Sequence, residues 1–162
     1  MLVYTPNKYE RCPMETALDL QLDVPPVNVN CFDFSGNLTI SQYIKGDIDY
    51  VIEPNRCTLD MKTCEKFQNL NINEMCKEFA DKNAFYYKVF SANHPKFECP
   101  IKAGNYTWER VNFDLSFISM LPLHGYIWIV TVKFVAAEKG SRVKKTILCM
   151  NTETKITRGR RN

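Results

Sequence analysis

Cysteines, histidines and paired carboxylates are the side chains that could carry covalent, metal or acid–base chemistry in this 162-residue chain. Its seven cysteines, Cys12, Cys31, Cys57, Cys64, Cys76, Cys99 and Cys149, are scattered with no Cys-x-x-Cys pair, and only two histidines, His94 and His124, accompany them. Zinc sites draw close-set soft ligands together, so this spacing argues against a metal and for disulfides. A hydrolase needs a nucleophile, a base and a group that orients the base; His94 stands beside Pro95, His124 in an apolar stretch, and neither has a recognisable motif around it. Asp47 with Asp49 and Glu74 with Glu78 follow the spacings of solvated strand and helix faces, and nothing resembles a glycine-rich phosphate cradle. No catalytic residue, metal or cofactor is expected, and the chain is read as a non-enzyme.

Two acceptor sequons, Asn37-Leu38-Thr39 and Asn105-Tyr106-Thr107, make Asn37 and Asn105 candidate glycosylation sites. With the cysteines they favour an oxidising compartment, so a secreted, extracellular or lumenal protein is expected. The first thirteen residues include Asn7, Lys8, Glu10 and Arg11 and lack the apolar core of a signal peptide, which is expected to have been removed. No apolar run approaches the roughly 20 residues that span a bilayer. The formal charge is only +3, and its basic excess collects at Lys155, Arg158, Arg160 and Arg161. That arrangement speaks against nucleic-acid binding and reads as a solvated basic tail over about 151–162, with anionic lipid headgroups as an alternative contact.

The chemistry that remains is apolar. Residues 116–124 carry no formal charge and place Phe117, Ile118, Met120, Leu121 and Leu123 where a polar loop is expected. These five are candidates for a cavity rim or a transient membrane-surface contact, the alternative being that they fold back onto the core.

The elements that must position such a surface are mostly strands. Segments 15–24, 36–44 and 47–53 alternate, as in Leu18, Leu20, Leu22 and Ile48, Tyr50, Ile52, and Gly46-Asp47 suits a tight turn, so an antiparallel meander is expected. Residues 54–70 read as a loop closed by a local disulfide. Ile72, Met75, Cys76 and Phe79 fall on one helical face, and Asn71 with Glu74 resembles a capping box, so one short helix is expected over 71–82. Segments 84–91, 106–117, 125–136 and 142–150 read as further strands, with a hairpin connection at Pro122 and Gly125 and a turn at Lys139-Gly140-Ser141. About seven or eight strands with one helix, without repeat or linker, give a single all-β, mainly antiparallel domain over 1–162. Its architecture is a two-sheet sandwich or an open β-cup with an apolar cavity.

Around Phe97-Glu98-Cys99-Pro100-Ile101-Lys102-Ala103-Gly104-Asn105-Tyr106-Thr107, followed by Leu121-Pro122 and Gly125-Tyr126, the chain resembles the ganglioside activator family of lipid-recognition domains. Insect chemosensory proteins of the CheB type are similar in the same region. The resemblance extends over roughly 12–150 through the order of the cysteines. It implies an open β-cup that carries lipid-like molecules and has no catalytic residues. It also implies pairing of Cys57 with Cys64, Cys76 with Cys99 and Cys12 with Cys149. The family's additional pair near the proline motif is absent, which leaves Cys31 as a buried thiol, a partner for another chain, or a competitor of Cys12 for Cys149.

Phe79, Phe85, Tyr87, Phe90, Phe113, Leu115 and Trp128 lie on faces predicted to point inward and are the candidate ligand-binding cavity residues; core packing explains each of them as well. Met14, Met61, Met75 and Met120 are candidates to make that interior adaptable. The function expected is a secreted carrier for lipid or another apolar small molecule, pheromone and cuticular lipid included, with a receptor or enzyme as a further partner. The alternative is an extracellular protein-interaction module of β-sandwich type without a small ligand.

Overall fold

A computed structural model of the chain describes residues 2–25, 27–28, 31–84, 86–114, 121–137 and 141–158. Among them run β1 (Leu2–Arg11), β2 (Leu18–Asp23), β3 (Val27–Asn28), β4 (Cys31–Ile40), β5 (Ile48–Cys57), β6 (Cys64–Lys66) and β7 (Leu70–Ile72). Two short helices, α1 (Met75–Ala80) and α2 (Tyr87–Ser91), precede β8 (Asn93–His94), β9 (Gly104–Asp114), β10 (Tyr126–Ala137) and β11 (Lys144–Arg158). The strands form two antiparallel sheets, as the alternating sequence leads one to expect. The larger is ordered β3-β1-β11-β10-β5, with β6 and β7 sharing the far edge of β5; the smaller is ordered β2-β4-β9-β8.

Side-chain alternation sets the layers. Phe134 of β10 and Leu148 and Met150 of β11 turn into the core, whereas Lys133 turns away and pairs with Glu53 of β5 at 2.8 Å. From the smaller sheet Leu18, Leu38, Ile40 and Trp108 meet them. Phe79 of α1, Phe90 of α2 and Phe97 close one region of the interior with ring centroids 4.3 to 5.4 Å apart. In β9 the alternation slips, because Trp108 and Val111 are both buried although three positions apart. A bulge explains it: residues 109 and 110 stand opposite Ser35 alone, Arg110 adopts a left-handed φ of 47°, and its amide is held by Ser35 Oγ at 3.2 Å.

Several sequence expectations are corrected. Segment 84–91 is not a strand: its last five residues form α2, with Tyr86, Val89 and Phe90 packed on the core at helical spacing, and Phe85 lies outside the described residues. Short aromatic runs carry both periods, and tertiary packing decides between them. The opening meander fails after β2 and β4, because β5 crosses to the larger sheet beside β10. Likewise β9 and β10 belong to different sheets and do not form a hairpin.

Residues 54–70, read as a loop, are strand over 54–57, 64–66 and 70. Cys57 and Cys64 face each other across β5 and β6, and Pro54 sits between the β6 and β7 ladders, where its missing N–H costs no ladder bond. Helix α1 begins only at Met75, after β7, and no capping box forms. Its first amides are met instead by Asp49 Oδ1, accepting from Glu74 N at 3.2 Å, and Asp47 Oδ1, accepting from Cys76 N at 3.1 Å. The two carboxylates taken for a solvated pair thus cap a helix from a neighbouring segment. Finally, β11 continues to Arg158 between β1 and β10, through Lys155, where a basic tail was expected; Arg160 and Arg161 lie outside the described residues.

Candidate functional site

Between the sheets, protein atoms leave a cavity of about 250 Å³, partly open to the surface. The larger sheet contributes Tyr9, Tyr50, Val132, Phe134, Leu148 and Met150 to its wall. The smaller sheet contributes Leu20, Leu22, Phe34, Leu38 and Trp108, and the helical segment Met75, Tyr86, Val89 and Phe90. Thr152 completes the lining, and among the described residues no Asp, Glu, Lys, Arg or His takes part. The strands' alternation accounts for this composition, since only the inward set of each strand reaches the space.

Two of the few polar groups in the wall are engaged by the backbone. Thr152 Oγ1 donates to the Val130 carbonyl at 3.3 Å, and the Trp108 indole N–H donates to the Val89 carbonyl at 2.8 Å. Beside it lies Asn93, only 2% exposed. With its amide oriented to satisfy both ends, Asn93 donates to the Thr107 carbonyl at 3.2 Å and accepts from the same indole at 3.1 Å. Tyr50 packs edge-on against Tyr86 and Phe134, at 5.6 and 5.3 Å. Burial pushes its phenol far above the ordinary range, helped by Tyr86, and burial lifts Tyr9 to about 12. Tyr86 is raised too, first by burial and then by Glu78. All three phenols stay neutral at physiological pH.

The same sheet face continues past the cavity. Register and alternation put Trp128, Val130, Val132 and Phe134 on one side of β10, beside Ile52 of β5 and Leu70 of β7. Trp128 and Ile156 form a second buried cluster with Leu123, Tyr126 and Val130, and the Trp128 indole donates to the Leu123 carbonyl at 2.9 Å. Phe67 stacks edge-on against Trp128 at 5.4 Å, and the Arg56 guanidinium lies 4.6 Å from the centre of the Tyr126 ring. Phe67 and Leu70 remain exposed at 47% and 56%, so an apolar shelf runs from the cavity side of the sheet to its edge.

Of the residues picked from sequence, Phe90 lines the cavity. Phe79 is buried one layer behind it, Tyr87 is half-buried and does not reach the lining, and Trp128 belongs to the second cluster. Phe85, Leu115, Phe117, Ile118 and Met120 lie outside the described residues, as does the side chain of Phe113, whose backbone pairs with Phe32. Leu121 is exposed and Leu123 packs on the second cluster. Met75 is a fully buried wall residue, while Met14 and Met61 are exposed. Tyr9, Tyr50, Leu20, Leu22 and Met150 were missed as site residues. Only the alternations at Leu18, Leu20, Leu22 and Ile48, Tyr50, Ile52 signalled some of them.

Three disulfides form, Cys12–Cys149, Cys57–Cys64 and Cys76–Cys99, the pairs implied by the family resemblance. Cys149 is therefore taken by Cys12, and the Cys31 side chain lies outside the described residues. Three such bonds point to an extracellular or otherwise oxidising compartment. The two sequons, distant in sequence, stand side by side on the exposed face of the smaller sheet: Asn37 pairs with Thr107 and Thr39 with Asn105. Among the described residues no helix is long and apolar enough to cross a membrane. No family model matches the chain, and no curated protein is significantly similar to it.

Proposed function

We propose that this is an exported, non-catalytic carrier that holds an apolar small molecule between its two sheets. The observation that carries the reading is the cavity of about 250 Å³ between the sheets, whose lining among the described residues holds no charged side chain. At roughly 24 cal/mol per Å³, a guest filling that volume would restore on the order of 6 kcal/mol of packing. An apolar wall with few engaged polar groups is what such a guest requires. The likeness to lipid-recognition domains supports the same reading, and so does the apolar shelf, which gives a lipid-like molecule a continuous path from the sheet edge. Export fits the disulfides, and Asn37 and Asn105 are proposed to carry glycans on the outer face of the smaller sheet. Glycosidase treatment of the chain from a eukaryotic secretory host tests that by its change in mass.

Titration with the neutral fluorophore N-phenyl-naphthylamine tests the cavity. Saturable uptake at one per chain is expected, lost when Leu22→Phe and Met150→Phe are combined to fill the space. Failure of the native chain to bind the fluorophore would count against the reading. A protein-interaction module is favoured instead by exposed Leu59, Met61, Phe67 and Leu70. That reading is supported if the native chain takes up no apolar probe.

A further inference from the structure

The cavity wall contains two hydroxyls that its own packing does not use. Among the described residues the Tyr9 and Tyr50 hydroxyls have no hydrogen-bond partner, although both residues line the cavity. Among the described residues neither hydroxyl is sealed inside protein: the one side-chain atom fully enclosed without a hydrogen bond is Asp19 Oδ1, which faces Arg11 Nη1 at 3.3 Å. The open space that their rings border is the cavity.

We infer that the cavity selects an uncharged amphiphile, a medium-length apolar chain ending in a hydroxyl, ester or carbonyl oxygen that hydrogen-bonds to Tyr50, and discriminates against a fatty-acid anion. This rests on the carrier reading above and names the chemistry of its ligand. A carboxylate moved into this space would lose its hydration and find no cation, because no Lys, Arg or His lines the wall among the described residues. A neutral phenol both donates and accepts, so it serves an alcohol or an ester equally. Burial keeps that phenol protonated well above neutral pH. A space of about 250 Å³, open at one side, sets the scale of the guest at a medium-length chain.

Calorimetric titration of the native chain with decanol, decanoate and decane, at about pH 8 where a carboxylic acid is ionised and a tyrosine is not, separates the possibilities. Decanol is expected to bind at least about tenfold more tightly than decanoate. Tyr50→Phe keeps the ring and is expected to weaken decanol roughly three- to tenfold while leaving decane unchanged. Decanoate binding as tightly as decanol, or decanol indifferent to Tyr50→Phe, overturns the inference and leaves the carrier reading intact. If none of the three binds, the carrier reading fails and the inference fails with it.

Discussion

At the scale of single residues, contacts between distant parts of the chain decide what each position tolerates. A Cβ on Gly36 would meet the Gln21 carbonyl oxygen and Leu22 Cδ2, both at 2.8 Å. Gly36→Ala is therefore expected to lower stability by roughly 1–3 kcal/mol in denaturant titration, and to weaken probe uptake by displacing Leu22 from the wall. The apolar stretch near 116–124 splits in the same way. Leu121 is exposed and Leu123 packs under Trp128, so Leu121→Asp is expected to leave the melting temperature nearly unchanged, whereas Leu123→Asp should lower it sharply. Equal effects would mean that the two side chains share one environment. The raised tyrosines set a pH dependence. Because folding holds Tyr9 and Tyr50 neutral, their contribution is complete below the unfolded value of 10.0 and is lost as pH rises toward the Tyr9 value of about 12. Stability measured against pH should accordingly fall above pH 10, with phenolate absorbance lagging that of the unfolded chain. None of these contacts is legible in sequence, since Gly36 and Gln21, or Asp47 and Cys76, meet only after folding.

At the scale of elements, legibility followed periodicity. Strands β2 and β5 could be read from the alternation of Leu18, Leu20, Leu22 and of Ile48, Tyr50, Ile52, and β10 from its run of β-branched and aromatic residues. Strand β1 could not: Pro6 and Asn7 interrupt it, the ladder slips between Pro6 and Lys8, and its partner β11 lies at the other end of the chain. The bulge in β9 left a trace in sequence as the change from even to odd apolar positions between Trp108 and Val111, but only the pairing with β4 explains it. The disulfides act on these elements unequally. Cys12–Cys149 spans 137 positions and ties the residue after β1 to β11, whereas Cys57–Cys64 spans 7 within one hairpin. Loop entropy assigns about 5 kcal/mol to the first and about 2 kcal/mol to the second. Replacing Cys12 and Cys149 together by Ser should thus cost clearly more stability than replacing Cys57 and Cys64; the reverse order in denaturant titration would place the strain in the hairpin.

At the scale of the whole molecule, two sheets of unequal size enclose an apolar space near the two helices and leave the larger sheet's apolar face running on to its edge. Sequence composition signalled a large apolar interior, but a packed and a hollow interior have the same alternation, so the cavity itself emerges only from how the sheets and helices meet. Carriage of an apolar molecule in that space is tested most directly by native mass spectrometry of the freshly purified chain, followed by organic extraction of whatever is released. The expected result is a single adduct per chain that proves to be a neutral, medium-length lipid and that disappears when the Leu22→Phe and Met150→Phe changes fill the cavity. A chain of bare mass that also takes up no fluorophore would contradict the account and leave the protein-interaction reading in its place.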